Sequence, residues 1–381
     1  MLDVLLSGSA SFIITFLAIP VIMRIASEKK LFDVPDARKL HKNPIASLGG
    51  VGIFTGFFLA CLLSISAKAN PEFQYFFAAA FIIFFLGLKD DIIVLSATKK
   101  LMGQIAAAAI VIHLAGVRLS SMHGLFGIEE IPNYVGLVLS YFTIVLIINA
   151  YNLIDGVDGL AGMLGLFTMS IFGCYFYMAG IPAYSLLAFS FGGSLIAFLI
   201  FNHNPAKIFM GDCGSLVLGL INAILVIKFI SVSDSTGVTL PIESAATVGI
   251  SILIVPLMDT LRVFSIRVFH GRSPFSPDRN HIHHLLLDRG LSHKYVTLFC
   301  LLLNMTFVSV AYFGRSLGPT YLLFSMALIA MSVVSILIYY KKPAIKVVVA
   351  KQPLQGTTRT IIQPETKVVA INKEVAIMAE N

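Results

Sequence analysis

Residues 149–162 read NAYNLIDGVDGLAG, a stretch with two asparagines, two aspartates and three glycines in an otherwise apolar chain. Long apolar segments precede and follow it, and many of them end in charged clusters. This alternation predicts membrane helices that gather polar loops at one surface of the bilayer. The quoted stretch is the third and central of these loops.

The composition supports a membrane protein. The 381 residues are 57% hydrophobic and only 12% charged, with a mean hydropathy of +0.89. A soluble globule of this length is not so apolar, which leaves a polytopic membrane protein. The four cysteines lie in or beside different apolar segments without metal-type spacing, so we expect neither a disulfide framework nor a zinc site.

A window of roughly 20 residues predicts about eleven transmembrane helices. They begin near Leu2, Leu48, Phe73, Leu101, Val135, Leu160, Tyr184, Leu216, Ala245, Tyr295 and Thr320. The first lacks a basic flank and a cleavage site, so we expect a retained anchor. The predicted fold class is all-α, with one transmembrane domain over residues 1–340 and a cytoplasmic tail over 341–381 that we expect to be mobile.

The distribution of basic residues predicts the orientation of these helices. If the loops after odd-numbered segments and the tail share one side, the other side keeps few of the 27 Lys and Arg residues, namely Lys68, Arg118, Lys228 and Arg315. The positive-inside rule then places the N-terminus outside and the C-terminus in the cytoplasm. The net charge of +7 therefore reflects topology, and no nucleic-acid partner is expected.

The first two cytoplasmic loops carry basic and acidic clusters. The first loop, residues 27–50, ends in Gly49-Gly50, a pair that would let backbone approach a phosphate. Its basic residues could equally be topology markers; they include Arg38, Lys39, His41 and Lys42. The second loop begins at Asp90-Asp91, where adjacent carboxylates at a helix C-terminus are costly and suggest a base, a metal partner or a partner of Lys99 and Lys100.

The third and fourth loops supply oxygen ligands. Asn152, Asp155 and Asp158 recur every three residues, which places them on one face of a helical turn. Such hard oxygen donors suit Mg²⁺ or Mn²⁺. In the fourth loop, FNHNPAKIFMGDCGS, Asp212 stands between glycines. Helix capping is the alternative for both Asp158 and Asp212, because each precedes an apolar run.

The fifth loop, residues 266–294, contains the sequence DRNHIHHLLL. Its histidines and arginines favour donors to an anionic substrate over a transition-metal site, because no HExxH-type spacing is present. Together the five loops bring carboxylates, amides, histidines and cations to one face, as phosphoryl transfer requires. A membrane enzyme acting on a diphosphate is the resulting hypothesis.

Four motifs carry a resemblance to a known family: Asp90-Asp91, NAYNLIDGVDGLAG, FNHNPAKIFMGDCGS and DRNHIHHLLL. In this order they resemble the polyprenyl-phosphate N-acetylhexosamine-1-phosphate transferases of glycosyltransferase family 4, nearest the bacterial branch that makes undecaprenyl-pyrophosphoryl-GlcNAc. The resemblance implies Mg²⁺- or Mn²⁺-dependent transfer from a UDP-N-acetylhexosamine to undecaprenyl phosphate at the cytoplasmic face of the bacterial inner membrane. It leaves a homodimer open.

Matched motif by motif, the resemblance assigns roles to individual residues. Asp212 and Asn152 would be metal ligands, and Asp90 and Asp91 would be catalytic residues that serve the lipid phosphate or organise the metal. The implied substrate-binding residues are Asp155, Asp158 and Asn202 near the uridine diphosphate, His281, His283, His284 and Arg279 at the phosphates or sugar, and Lys42 and Lys100 along the phosphate path.

Two departures from the family pattern matter. Ala46-Ser47-Leu48 stand before the glycine pair, where the family often has Pro-Arg, which puts phosphate contacts of the first loop in doubt. An isoleucine also interrupts the histidine run, a difference that favours a simple aminosugar as substrate. The alternatives are an ion-coupled transporter and a non-catalytic binder of lipid-linked sugars. Acids clustered at helix ends on one side, without repeated halves, favour the enzyme.

Overall fold

A computed structural model describes residues 2–31, 45–233, 239–271 and 281–339. Their secondary structure is almost entirely helical. The helices are α1 Leu2–Lys29, α2 Gly49–Ser64, α3 Glu72–Ile92, α4 Ala97–Ala109, α5 Asn133–Ile154, α6 Leu160–Met178, α7 Pro182–Asn202, α8 Gly211–Ser233, α9 Ala245–Ile252, α10 Ile254–Phe269, α11 Ile282–Leu287, α12 His293–Phe313 and α13 Pro319–Tyr339.

Short elements interrupt this helical pattern. A π-helical turn, Ile110–Leu114, extends α4, and an antiparallel hairpin of β1 Ser121–Leu125 and β2 Ile128–Glu130 precedes α5. The hairpin contacts the start of α13, where the Phe126 N–H donates to Thr320 Oγ1 at 2.6 Å. A 3₁₀ turn, Arg315–Leu317, leads into α13.

Each predicted apolar segment is helical, and the ninth is divided into α9 and α10 by an 82° bend. Within the described ranges, seven helices are long and apolar enough to cross a membrane, or eight if the bent pair is one span. An all-α, multi-pass membrane protein is thereby confirmed. The number of eleven crossings and the orientation stay predictions, and the tail over 341–381 lies outside the described residues.

Helix α8 forms the centre of the bundle. It is apolar on all sides, and 83% of its membrane-length window is buried, against 22% for α1 and for α13. A helix without a polar face is expected at the core. α8 packs against α2, α3 and α5, so the first turn of α8 lies among the ends of these helices.

Glycines let the helix ends approach closely. A Cβ at Gly87 of α3 would lie 2.6 Å from the Asp212 carbonyl oxygen, which only glycine permits. The Gly49 and Gly50 N–H groups donate to the Phe209 and Met210 carbonyls at 2.9 and 2.8 Å. These donors are therefore occupied, and the phosphate approach expected for this glycine pair is wrong for the described structure.

Candidate active site

A cavity of about 620 Å³ opens where these helix ends meet. The residues that line it come from the ends of α1, α3, α5, α7, α8, α11 and α12 and from the loops between them. The polar ones are Lys30, Ser47, Asp90, Asp91, Asn152, Asp155, Asp158, Asn202, Asp212, His284 and His293. The predicted convergence of separate loops on one site is thus seen in the structure, with the third loop along one side.

Lys100 neutralises the centre of this cluster. Its ammonium nitrogen lies 2.5 Å from Asp90 Oδ2 and 2.7 Å from Asp212 Oδ2. The other oxygen of Asp90 accepts the Leu95 N–H at 2.6 Å. We call Asp90, Asp91, Asp155 and Asp212 the carboxylate wall. A cation in the first turn of α4 therefore joins the ends of α3 and α8.

Asp91 differs from its neighbour Asp90. Its two carboxylate oxygens accept the N–H groups of Asp212 at 2.7 Å and Cys213 at 3.0 Å. The first N–H groups of a helix lack intrahelical partners, and a carboxylate there is favourable. Gly211, at φ +73°, leaves the space that this contact needs. Asp91 thus caps α8 and holds the backbone that carries Asp212.

Asp212 is therefore not the cap that the alternative interpretation predicted. It lies inside the first turn of α8, and its carboxylate is engaged sideways. The Asn152 amide nitrogen donates to Asp212 Oδ1 at 2.9 Å and to Ser215 Oγ at 3.0 Å. The two residues predicted as metal ligands are adjacent, although neither comparison nor geometry tests metal binding.

Asp155 is a half-buried carboxylate without a hydrogen-bond partner in the described part of the chain. Burial, together with the negative charges of Asp212, Asp91 and Asp158, raises the pKa of Asp155 to about 8. Among the described residues, no three His, Cys, Asp or Glu side chains are arranged as a ready metal cage. The wall nevertheless carries more negative charge than Lys100 compensates.

Asp158, three residues later, is fully engaged. Its carboxylate accepts Asn204 Nδ2 at 2.9 Å and the Ala206 N–H at 3.2 Å, and His293 Nδ1 lies 3.2 Å away. Burial would raise its pKa, but the hydrogen bonds with His293, Asn204 and Ala206 hold the pKa of Asp158 below its usual value. The cap of α6 is Gly159, so the capping role expected for Asp158 is wrong. We call Asp158 and His293 the histidine edge.

Asn202 connects the third and fourth loops. Its Oδ1 accepts the Gly159 N–H, and its Nδ2 donates to the Ile208 carbonyl, both at 2.8 Å. The amide lines the cavity but is 5% exposed. Its nucleotide contact stays a prediction, and the structure adds a loop-tethering role.

The three predicted histidines separate into two groups. His281 is buried, and its Nδ1 lies 2.8 Å from Asp259 Oδ2, while Asp259 Oδ1 accepts the Ile282 N–H at 2.7 Å. His283 is also buried, and a Cβ at Gly156 would lie 2.6 Å from its Nε2. Burial, with His284 nearby, lowers the pKa of His283 to about 3, so it is neutral. Only His284 of the three lines the cavity.

Two predicted residues and two unpredicted ones complete the site. Lys42 and Arg279 lie outside the described residues. The sequence interpretation missed Asp259, although an acid within an apolar segment is itself a signal. It also missed His293, for which the sequence offers no comparable signal.

Comparisons with known proteins agree with this geometry. Residues 73–230, which hold the carboxylate wall, match the family model described as glycosyl transferase family 4. The chain is 30% identical over 308 residues to the probable undecaprenyl-phosphate N-acetylglucosaminyl 1-phosphate transferase of Bacillus subtilis, with 81% of this chain and 84% of the relative covered. It is 29% identical over 317 residues to the undecaprenyl-phosphate alpha-N-acetylglucosaminyl 1-phosphate transferase of Yersinia pestis, with the same coverage. Identity to the Escherichia coli K12 protein of that name is 27% over 288 residues, covering 74% of this chain and 76% of the relative.

Proposed function

The chain belongs to glycosyl transferase family 4, and from this premise we propose that it transfers an N-acetylhexosamine 1-phosphate from a UDP-sugar to undecaprenyl phosphate. GlcNAc 1-phosphate is the first choice, because the relatives are named for N-acetylglucosaminyl 1-phosphate transfer. The observation that carries the proposal is the carboxylate wall with Lys100, which lies inside the family match and faces the cavity.

The proposed reaction is a displacement at phosphorus. An oxygen of the lipid phosphate forms a bond to the β-phosphorus of the UDP-sugar, and the bond from that phosphorus to the bridging oxygen breaks, which releases UMP. A phosphate monoester with a second pKa near ~6 is mostly dianionic at neutral pH, so little base catalysis is needed. Asp90, beside Lys100, would position the lipid phosphate or take its residual proton. Trapping of a labelled aspartyl-phosphate on Asp90 would replace direct attack by a two-step route.

Asp212 and Asn152 are the residues proposed to hold Mg²⁺ or Mn²⁺. Magnesium is commonly bound by one or two carboxylates together with substrate phosphates and waters, so a preformed cage is not required. The raised pKa of Asp155 shows excess negative charge at this wall, which fits a divalent cation. When bound, such an ion neutralises charge on the diphosphate oxygens. The chain's own contribution is to fix Asp212 from both sides, through Asn152 and the Asp91 cap.

We further propose eleven membrane crossings, an outside N-terminus and an active site at the cytoplasmic face of the bacterial plasma membrane, in the first membrane step of an envelope polysaccharide pathway. A homodimer belongs to this proposal as an assembly state to be measured. A single cysteine at Glu130 of the hairpin is expected to react with an impermeant maleimide in intact spheroplasts, and one at Glu28 of α1 only after lysis. The reverse pattern would invert the orientation.

Purified protein in detergent tests the reaction. With undecaprenyl phosphate, Mg²⁺ and a panel of UDP-sugars, we expect UMP release that is fastest with UDP-GlcNAc and abolished by EDTA. Release without sugar preference would contradict the aminosugar assignment. Undiminished release in EDTA would contradict the metal, and no release with any UDP-sugar would overturn the proposed function.

A further inference from the structure

The histidine edge is a second built feature of the cavity. His293 is the first residue of α12, and its side chain is 21% exposed where it lines the cavity beside Gly156 and Asp158. One turn further along α12, Thr297 Oγ1 donates to the Asp158 carbonyl at 3.1 Å. The start of α12 is therefore joined to the third loop through both the side chain and the backbone of Asp158.

The partners of His293 determine which ring nitrogen is free. Nδ1 lies 3.2 Å from Asp158 Oδ1 and 3.4 Å from the Asp158 backbone nitrogen. Asp158 also accepts two N–H donors, so it is held as an ionised carboxylate. Beside an ionised carboxylate, Nδ1 carries the proton and donates it to Oδ1. Within the described ranges, Nε2 makes no hydrogen bond, and it lies at the other end of the ring.

The charge around the cavity selects the ligand group for Nε2. Five aspartates line the cavity, whereas Lys30 is the one lysine or arginine among its described lining residues. Lys100 is already held between Asp90 and Asp212. An anionic ligand that enters this site therefore needs a donor away from the carboxylate wall. An imidazole whose Nδ1–H faces a carboxylate provides one, because the carboxylate stabilises the doubly protonated ring.

We propose that His293 is a substrate-binding residue whose Nε2 donates to a non-bridging phosphate oxygen of the nucleoside diphosphate, with Asp158 as its positioning residue. This inference rests on the proposed function, and it assigns the diphosphate a contact that the four sequence motifs do not contain. The carboxylate wall then serves the reacting centre, and the histidine edge holds the donor substrate.

Two conservative variants separate binding from a purely structural role. In His293→Gln the amide reaches the position of Nε2, and in His293→Asn it reaches the position of Nδ1 and keeps the bond to Asp158. The probes are UDP, UMP and uridine, titrated calorimetrically into purified protein with Mg²⁺. Control variant His270→Ala removes a histidine at the end of α10 whose Nδ1 faces the Ile266 carbonyl, outside the cavity lining.

We expect His293→Asn to weaken UDP and UMP about tenfold or more, as for loss of a charge-assisted hydrogen bond. Uridine affinity and the melting temperature should stay unchanged, His293→Gln should lose less, and His270→Ala nothing. Equal weakening of uridine would place the contact on the nucleoside and overturn the phosphate assignment. Lower stability in Gln but not in Asn, with UDP affinity unchanged in both, would make His293 purely structural.

Turnover separates this inference from the reaction on which it rests. If wild-type protein releases UMP but His293→Asn binds UDP normally, the role of His293 is wrong and the proposed function stands. If wild-type protein binds UDP with the predicted His293 dependence but releases no UMP, the contact stands and the reaction is wrong. Failure of wild-type protein to bind UDP overturns both.

Discussion

The two sides of the cavity use the same residue type in opposite ways. At the histidine edge, Asp158 is met by His293, Asn204 and the Ala206 N–H. On the carboxylate wall, Asp155 has no hydrogen-bond partner in the described chain, and its pKa rises to about 8. A satisfied carboxylate fixes geometry, whereas uncompensated carboxylates create a place for a cation. The wall is therefore assigned to chemistry and the edge to positioning.

Replacing Asp212 is the most severe way to test the wall. Asp212→Asn removes a charge that Lys100 and Asn152 orient, so we expect UMP release to fall by about 10³-fold or more. The Asp91 cap of α8 is untouched, so the melting temperature should change little. The control is Asp3→Asn, the same change in the first turn of α1, with full activity expected. Wild-type turnover in Asp212→Asn would remove this residue from the chemistry.

The adjacent pair Asp90-Asp91 divides the same comparison within one helix end. Asp91→Asn leaves one helix N–H of α8 without its acceptor, which should cost about 1–2 kcal/mol of stability. Because Asp212 shifts with the helix end, activity should fall by about 10²-fold. Asp90→Asn should lower the turnover number with a smaller change in stability, since its partner is a side chain. Thermal unfolding and UMP release measure both.

The opposite outcome would contradict this division. If Asp91→Asn lost activity at unchanged stability while Asp90→Asn unfolded, Asp91 would act in chemistry and Asp90 in structure. Chelation with EDTA provides a further check, because a cap at a helix N-terminus stabilises the protein with or without divalent ions.

The sequence predicted the parts of this site better than their roles. Apolar runs and basic flanks are local features, so the helices and the gathering of Asp90, Asn152 and Asp212 at one end could be anticipated. The pairing of Asp91 with backbone N–H groups more than 100 residues away depends on the packing of α3 against α8. No local pattern encodes such a contact. The Asp158–His293 pair was missed for the same reason, because α12 meets the third loop only in the folded chain.

A glycine in the third loop tests how the buried histidines support the cavity. Gly156→Ala would place a methyl group 2.6 Å from His283 Nε2, and His283 is buried. We expect a loss of about 1–3 kcal/mol in stability from overpacking, with activity reduced about tenfold. The control is Gly192→Ala in α7, where the new Cβ meets its nearest atoms at 3.7 Å. Equal behaviour of the two variants would show that His283 moves freely.

Opposite pH dependences of Asp155 and Asp158 are the subtlest consequence of the comparison. Asp155 titrates at about 8 in the folded protein, against an ordinary value of 3.8. Between these pH values the folded state retains a proton that the unfolded state has released, so wild-type stability falls as pH rises. Asparagine does not titrate. The melting temperature of Asp155→Asn relative to wild type should therefore increase from pH 5 to 8 and level off above pH 8.

Asp158→Asn should show the reverse sign. The folded pKa of Asp158 lies below 3.8, so its stabilisation is fully present above that pH and is lost as the pH falls through the folded value. This variant should melt below wild type at neutral pH, and the difference should shrink under acid. Melting curves without added divalent ions measure both variants in the same buffers. If both shifted in the same direction at neutral pH, the two aspartates would not differ in charge compensation, and the distinction between wall and edge would fail, because it depends on one carboxylate being repelled and the other held.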